Sequence, residues 1–519
     1  MGAKNGRVTT ELSEAPAEAP SKPSKPTAAL IGVLALVAAL GAGHLAAAFV
    51  GINASPYLAV GNAAIDLTPT WLKDFAAGTF GTADKTVLLA GMAVVMGLLA
   101  IVAGLISRSK PMPGQLLIGV FGVFGIIAVY TRPDLGQVSL IAPVVSLLAG
   151  VLVFRALHRA ASAPIAPSSS RRRFLFAGVA LGAGLAGGGG QLLGSRKDVE
   201  GSRGAVGPLV PARTAPAIPA DADFARLGTP TFITSNRDFY RIDTALVVPQ
   251  VRAEDWSLRI HGMVDKEVTY SYADIRDRPL VERVLTLCCV SNPVGGSYIS
   301  NAKFIGVDLA DLLTEAGVRP GAEQLFSTSV DGFTAGTPVP AVVDPGRGAM
   351  LAIGMNGEPL PVEHGFPARL VVPGLYGFVS ATKWVTDLEL TTWDARKAYW
   401  LQRGWAEQAP IKTESRIDAP SGAAPAGKVR VAGIAWAQHT GIAKVEARLD
   451  NGPWQEATLS AEVTDDAWRM WWTVFDATPG SHTATVRATD RSGYTQTDQV
   501  ADVVPDGATG WHTITFTTQ

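Results

Sequence analysis

Cysteine is almost missing from this sequence: Cys288 and Cys289 are the only two in 519 residues. That excludes a disulfide scaffold, and the pair is itself a poor staple. Neighbouring Cα atoms lie about 3.8 Å apart, below the roughly 4.4–6.8 Å of a normal disulfide. Histidine is also scarce, with seven scattered at positions 44, 158, 261, 364, 439, 482 and 512, so no clustered zinc site is expected. Neither sign of charge is in excess: 44 Lys and Arg face 45 Asp and Glu, a net charge of −1. No basic face announces nucleic acid, and none is expected as a partner. A Cys-x-x-Cys-His signature for covalent haem is missing too.

What is present in the first third is apolar. Four runs meet the spanning requirement of about 17–25 residues: Ala28–Val50, Val87–Ile106, Met112–Tyr130 and Val138–Phe154. A fifth, Phe174–Leu193, is weaker and rich in Gly and Ala. Positive charge orients them. Arg7, Lys22 and Lys25 precede the first run, Arg108 and Lys110 separate the second from the third, and Arg155, Arg159 and Arg171–Arg173 precede the fifth. The opposite loops carry only Lys73, Lys85 and Arg132. The N-terminus is therefore expected in the cytoplasm and everything after the fifth run outside. Ser170-Arg171-Arg172-Arg173-Phe174-Leu175 looks like a twin-arginine export signal, a route taken by folded proteins. No Ala-x-Ala cleavage site follows, so the segment is expected to be retained.

The expected organisation is multi-domain. It begins with a disordered cytoplasmic tail (1–27) and a transmembrane all-α region of four helices (28–155). A cytoplasmic loop with the Tat-like fifth segment (156–194) and a Pro/Gly/Ala-rich linker (195–228) follow. Residues 229–420 mix short apolar runs with helical pieces such as Leu309–Ala316, which reads as an α+β domain. Residues 421–519 form the last domain: after the linker Ala419–Gly427 (APSGAAPAG) they alternate in short segments, Lys428–Trp436, Gly441–Leu449, Met470–Phe475, His482–Ala488 and Trp511–Thr517. Turn signals such as Asp450-Asn451-Gly452 separate them, a pattern that predicts an immunoglobulin-like β-sandwich.

The two cysteines sit in Leu285-Thr286-Leu287-Cys288-Cys289-Val290-Ser291-Asn292. Strand alternation turns the two thiols to opposite faces, one toward a core and one toward a cavity. Pro293-Val294-Gly295-Gly296 then breaks the strand and admits close backbone approach to a ligand. On these residues alone the thiols are either buried structural groups or one metal ligand or nucleophile. A second stretch, His364-Gly365-Phe366-Pro367-Ala368-Arg369 and on to Lys383-Trp384, intersperses donors and cations among apolar residues. It suits a bound phosphate or polar heterocycle. Ser235–Arg241 is a third polar and aromatic stretch.

Together these residues resemble the sulfite oxidase family of molybdopterin-dependent oxidoreductases over roughly residues 225–519. The family's Cys-x-x-Asn is matched by Cys289-Val290-Ser291-Asn292. Its Met-Asn-Gly-x-Pro-Leu-Pro…His-Gly-Phe-Pro-x-Arg run is matched by Met355–Pro361 and His364–Arg369, and its Pro-Gly…Gly…Lys-Trp by Pro373-Gly374, Gly377 and Lys383-Trp384. The resemblance implies a molybdenum–molybdopterin cofactor, with Cys289 as the protein's thiolate ligand to the metal and the catalytic residue, and Cys288 without a catalytic role. It implies that His364, Arg369 and Lys383 hold the pterin and its phosphate, helped by Ala381, Thr382, Tyr240, Arg241 and Asp331. A C-terminal immunoglobulin-like dimerisation domain, hence a homodimer, is implied as well.

The implied activity is two-electron redox or oxygen-atom transfer on a small sulfur compound such as sulfite. Electrons would pass to a separate cytochrome or quinone-linked partner. Animal and plant sulfite oxidases follow Cys-x-x-Asn with two arginines, where this chain has Pro293 and Val294, and their active-site tyrosine has no counterpart in Asp331-Gly332-Phe333-Thr334-Ala335. Phe239-Tyr240 and Tyr376-Gly377-Phe378 lean toward the bacterial periplasmic branch, which includes a reductase of protein methionine sulfoxide. S- or N-oxide reduction is therefore the alternative within the family, and a non-enzymatic membrane receptor the alternative outside it.

Overall fold

The computed structural model describes residues 22–519, apart from 70–71, 73–74, 77–78, 81–82, 133–134, 163–168 and 195–197. Side chains of 169–174 and 190–194 are likewise outside the description, as is most of the expected tail. The chain divides into two compact units, residues 1–196 and 197–519.

The first unit is helical. Among its described residues four helices are long and apolar enough to cross a membrane: Lys25–Val50, Asp84–Ile106, Met112–Tyr130 and Gln137–Ser162. Their outer faces expose Val94, Leu98, Leu116, Phe124, Leu148 and Leu152, as suits a lipid environment rather than water. Their inner faces approach through small residues. Gly32 lies against the backbone oxygen of Ala100, and Gly104 against that of Ala28, so a Cβ at either position would collide with that oxygen. Ser146 Oγ donates to Ala39 O at 2.8 Å, which satisfies a hydroxyl that would otherwise be buried alone.

An additional helix, Pro56–Leu67, was not expected from the sequence. The expected fifth span is helical over Ser169–Gly194. Within it Leu175–Gly189 is a described apolar stretch, and the residues flanking it on both sides lie outside the side-chain description. The Arg171–Arg173 side chains of the export-like motif lie outside the described residues.

The second unit joins an α+β region to a β-rich C-terminus around one continuous core. One sheet runs in the order Val268–Ser271, Ser257–Gly262, Val385–Thr391, Gln324–Ser329, Thr334–Pro338. Ser257–Gly262 lies parallel to Val385–Thr391, and the other pairs are antiparallel. A second sheet is antiparallel: Val281–Cys288, Ile299–Asp308, Met350–Met355, Glu358–Pro359, with Arg369–Val371 on the Met350–Met355 strand. Leu309–Ala316 is helical as expected, burying Leu309, Leu312, Leu313 and Ala316 and ending at Gly317 in the left-handed region.

At the C-terminus, Glu414–Ala419, Gly427–Trp436, Arg469–Ala477 and Thr458–Leu459 form one sheet. A facing sheet holds Ala423–Ala424, His512–Thr518, Gly480–Asp490, Ile442–Leu449 and Gln455–Glu456. Both contribute to a second core built on Val431, Val445, Trp471, Val486 and Phe516. The five alternating segments of the sequence fall on five of these strands.

Two expected boundaries are corrected. Residues 198–228 are no free tether: Val199–Val206 is a helix capped by Asp198, and Val199, Val206, Leu209 and Phe224 enter the core. Arg203 donates to Leu360 O at 2.9 Å and pairs with Glu358. The anchors are too widely spaced among Pro, Gly and Ala to show as a periodic pattern. The C-terminal sheets also begin before residue 421, because Glu414–Ala419 pairs with Gly427–Trp436 across the supposed linker.

Candidate functional site

Val281–Cys288, with β-branched Val281, Val284 and Thr286, forms an edge strand whose register with Ile299–Asp308 sets Cys288 opposite Ile299. Cys288 is sealed in the core, its thiol donating to Cys289 O at 3.5 Å. Cys289 lies just past the strand end and lines a cleft, so the two thiols do part to opposite sides. The turn that follows is tightly tied. Asn292 N donates to Cys289 O at 3.0 Å, Gly296 N to Pro293 O at 2.8 Å and Tyr298 N to Asn292 Oδ1 at 2.8 Å. Burial pushes the Cys289 thiol up from its ordinary pKa, opposed by hydrogen bonds from the Ser291 backbone and side chain.

The cleft encloses a cavity of about 130 Å³ and opens to solvent. His364 lies on a short turn, its Nε2 2.9 Å from Asn236 O and its ring edge-on to Phe239. Burial lowers its pKa to about 4, assisted by the neighbouring Arg369 charge and opposed by the Asn236 carbonyl, so the ring is neutral at pH 7. Arg369 is buried, held by the Arg369–Val371 strand, and hydrogen-bonds only to carbonyl oxygens, of which His364 O at 3.2 Å is nearest. Desolvation lowers it to about 10. Lys383 Nζ donates to Asp243 Oδ2 at 2.9 Å and to Glu363 O at 3.1 Å. Burial lowers it to about 8 against the pull of Asp243. Tyr240 stacks on Phe239, and burial raises its hydroxyl well above the ordinary value.

Seven of the nine expected residues therefore meet in one cleft: Tyr240, Cys289, Asp331, His364, Arg369, Ala381 and Lys383. Two do not line it. Arg241 is partly exposed and reaches the site through Asp243, to which its Nε donates at 2.9 Å. Thr382 is fully buried, its hydroxyl 2.7 Å from Ser327 Oγ behind the wall. The sequence did not single out Asp243, whose partner lies 140 residues away. It also missed the aromatic wall of Phe378, Trp400 and Trp405, whose rings sit 5.6 and 5.8 Å from one another. The Tyr399-Trp400…Trp405 cluster is a signal that was there to be used.

The donors fit a molybdopterin. Among the described residues no three His, Cys, Asp or Glu side chains converge as a metal site, so a metal at Cys289 must arrive with ligands of its own. A soft thiolate suits such a metal. Among the described residues the buried Arg369 charge has no carboxylate partner in hydrogen-bond range, and Arg241 and Lys383 share Asp243. That leaves positive charge for a phosphate. Ser329 Oγ, on the cleft wall, is buried without a partner, and so is Trp405 Nε1.

Residues 245–400 match the family model for an oxidoreductase molybdopterin binding domain. An uncharacterised oxidoreductase of Bacillus subtilis is 32% identical over 150 residues, 29% of this chain and 72% of that protein. The chain belongs to the sulfite oxidase family. Chicken sulfite oxidase is 28% identical over 329 residues, 54% of this chain and 71% of that protein. The rat mitochondrial enzyme is 28% identical over 291 residues. The chain spans about half the length of the mammalian relatives, 53% for the rat protein. Among solved structures, the sulfane dehydrogenase SoxCD of Paracoccus pantotrophus is 26% identical, covering 51% of this chain and 74% of that one at a TM-score of 0.46. As a member of the sulfite oxidase family the protein is a molybdenum-dependent oxidoreductase with a molybdenum–molybdopterin cofactor. Its four apolar helices are compatible with membrane anchoring.

Proposed function

We propose that the protein is a membrane-anchored enzyme whose catalytic unit faces the extracytoplasmic side of the cell membrane. It carries out two-electron redox or oxygen-atom transfer on a small sulfur compound such as sulfite. The observation that carries this reading is the Cys289 thiol on the wall of a cleft with buried, incompletely neutralised cations.

Cys289 is the protein's ligand to the metal. Arg369 and Lys383 hold the phosphate, while neutral His364, Tyr240, Asp331 and Ala381 contact the pterin; Arg241 and Thr382 support this set through Asp243 and Ser327. When bound, the cofactor supplies the two-electron redox chemistry. For sulfite the balance is one water consumed, with sulfate, two protons and two electrons released. The residues orient the substrate and exclude bulk water, the aromatic wall by its bulk and His364 by staying uncharged. Electrons leave to a separate cytochrome or quinone-linked partner. The two C-terminal sheets are read as an immunoglobulin-like sandwich that pairs two copies of the chain.

A second reading within the family is reduction of an S- or N-oxide, which takes up two electrons and two protons and releases water. The Phe378–Trp400–Trp405 wall favours it, since apolar rings suit a neutral substrate better than a dianion. The test is purified full-length protein from a cofactor-competent host, assayed for molybdenum and screened with sulfite, thiosulfate and S-oxides against artificial electron donors and acceptors. About one molybdenum per chain with sulfite-dependent dye reduction supports the first reading. Turnover only of S-oxides with reduced dye moves the assignment to the second, and absence of molybdenum sinks both.

A further inference from the structure

The segment that delivers Cys289 pairs with Ile299–Asp308 along its length and is gripped in addition from the C-terminal region. Before the thiol, Thr286 N donates to Asp466 O at 2.9 Å and Trp468 N donates to Thr286 Oγ1 at 2.8 Å. After it, Arg416 Nη1 reaches from the strand Glu414–Ala419 and donates to Gly296 O at 2.7 Å. Arg416 is itself buried and aimed by Asp418, whose Oδ1 accepts from its Nε at 2.8 Å. Gly295, at φ +76°, lies flush against the His512 ring, where a Cβ would collide.

The turn between these two grips contains Gly295 and Gly296, the residue type with the widest backbone freedom. Its internal bonds join Cys289 to Asn292 and to Tyr298 (Cys289 N donates to Tyr298 O at 2.9 Å), Tyr298 to Asn292 and Pro293 to Gly296, but none of them ties the glycine tip to the C-terminal sheets. Arg416 does so, with a charged donor to a buried carbonyl, the stronger class of hydrogen bond. The guanidinium fork serves Gly296 and Asp418 at once, which a lysine ammonium on its flexible stem would do with poorer geometry.

We propose that Arg416 is a positioning residue for the Cys289 thiolate, fixing from the C-terminal domain the orientation in which the sulfur meets the metal. The proposal rests on Cys289 being the metal ligand. It gives the C-terminal sheets a part in the active site beyond any role in pairing two chains.

The test compares full-length, molybdenum-loaded wild type with Arg416→Met and Arg416→Lys by hydrogen exchange and by the sulfur-to-metal absorption band. In Arg416→Met the amides of residues 290–298 exchange about tenfold faster or more, while Gly427–Trp436 and Gly480–Asp490 are unchanged. The absorption band shifts or broadens, and Arg416→Lys falls between. If Arg416→Met does not fold, Asp418→Asn, which keeps the arginine and removes its anchor, is read in the same way. Exchange in 290–298 within twofold of wild type, or rising equally in all strands, overturns the proposal. Wild type without molybdenum overturns instead the reading of Cys289, and the exchange comparison still reports whether Arg416 holds the turn.

Discussion

Lys383 and Asp243 form a buried ion pair, Nζ to Oδ2 2.9 Å, whose side chains retain only 10% and 4% of their exposure. Asp243 also takes Arg241 Nε at 2.9 Å, so one carboxylate holds two cations at the mouth of the cleft. The pair joins the segment after Tyr240 to the end of the family motif, 140 residues later.

Breaking that pair leaves a buried ammonium without a counter-charge, at a cost of about 3–5 kcal/mol. Asp243→Asn is expected to lower the unfolding midpoint of the enzyme unit and the molybdenum content together. Metal analysis and thermal unfolding of the full-length variant check this, and unchanged molybdenum content would remove Asp243 from the cofactor's support.

The two adjacent cysteines are expected to behave differently. Cys289→Ser removes the soft ligand at the cleft and should abolish turnover and the sulfur-to-metal absorption, with little loss of folding. Cys288→Ser places a hydroxyl in a core position and costs about 1–2 kcal/mol while leaving turnover within a fewfold. Parallel kinetics and unfolding on both variants decide it; equal losses of turnover would contradict the division of roles.

Glu414 carries a clear pH signature. Burial raises its carboxyl to about 8, and its Oε1 has no hydrogen-bond partner. Below about pH 4.5 the group is protonated folded and unfolded, so its contribution to stability is whole there. As pH rises toward 8 only the unfolded chain ionises, and stability falls by up to about 1.4 kcal/mol per unit before levelling above 8. Glu414→Gln should match wild type near pH 5 and exceed it by about 4 kcal/mol at pH 8.5. His364 and His512, each lowered to about 4 by burial, act in the opposite sense. Their contribution is whole above about 6.5 and lost as pH falls toward 4. Unfolding midpoints of wild type and variant between pH 4.5 and 9 separate the terms.

Trp405 offers an indole N–H without a partner on the aromatic wall. Trp405→Phe keeps a ring against Phe378 and Trp400 but removes that donor. It is expected to retain molybdenum while raising KM about threefold to tenfold, the worth of one neutral hydrogen bond. An unchanged KM for every substrate turned over would take the indole out of substrate binding.

In the membrane unit, Gly104→Val drives a side chain into the Ala28 carbonyl and should cost about 1–3 kcal/mol of packing. The expected outcome is a lower unfolding midpoint in detergent with normal molybdenum content, read by thermal unfolding and metal analysis.

Much of this was legible along the chain. The apolar runs at 28–155 are helices because uninterrupted hydrophobic sequence of that length has few other solutions. The alternating segments after 427 are strands because period-two burial is written locally. The Cys289 turn was marked by its own Asn, Pro and Gly residues. The fifth apolar run, Phe174–Leu193, falls within the helix Ser169–Gly194.

The sequence by itself thus determined the apolar helices, the strand-and-turn carrying Cys289 and the cleft residues that sit in contiguous motifs, because each is encoded within a few residues of itself. Tertiary structure alone decided the rest. It brought Asp243 to Lys383, swung Arg416 onto Gly296 O, backed Thr382 against Ser327 instead of the cleft, and drew Val199 and Phe224 into the core. In each case the partner lies tens to more than a hundred residues away, and burial, which makes such a contact matter energetically, exists only once the sheets have closed around it.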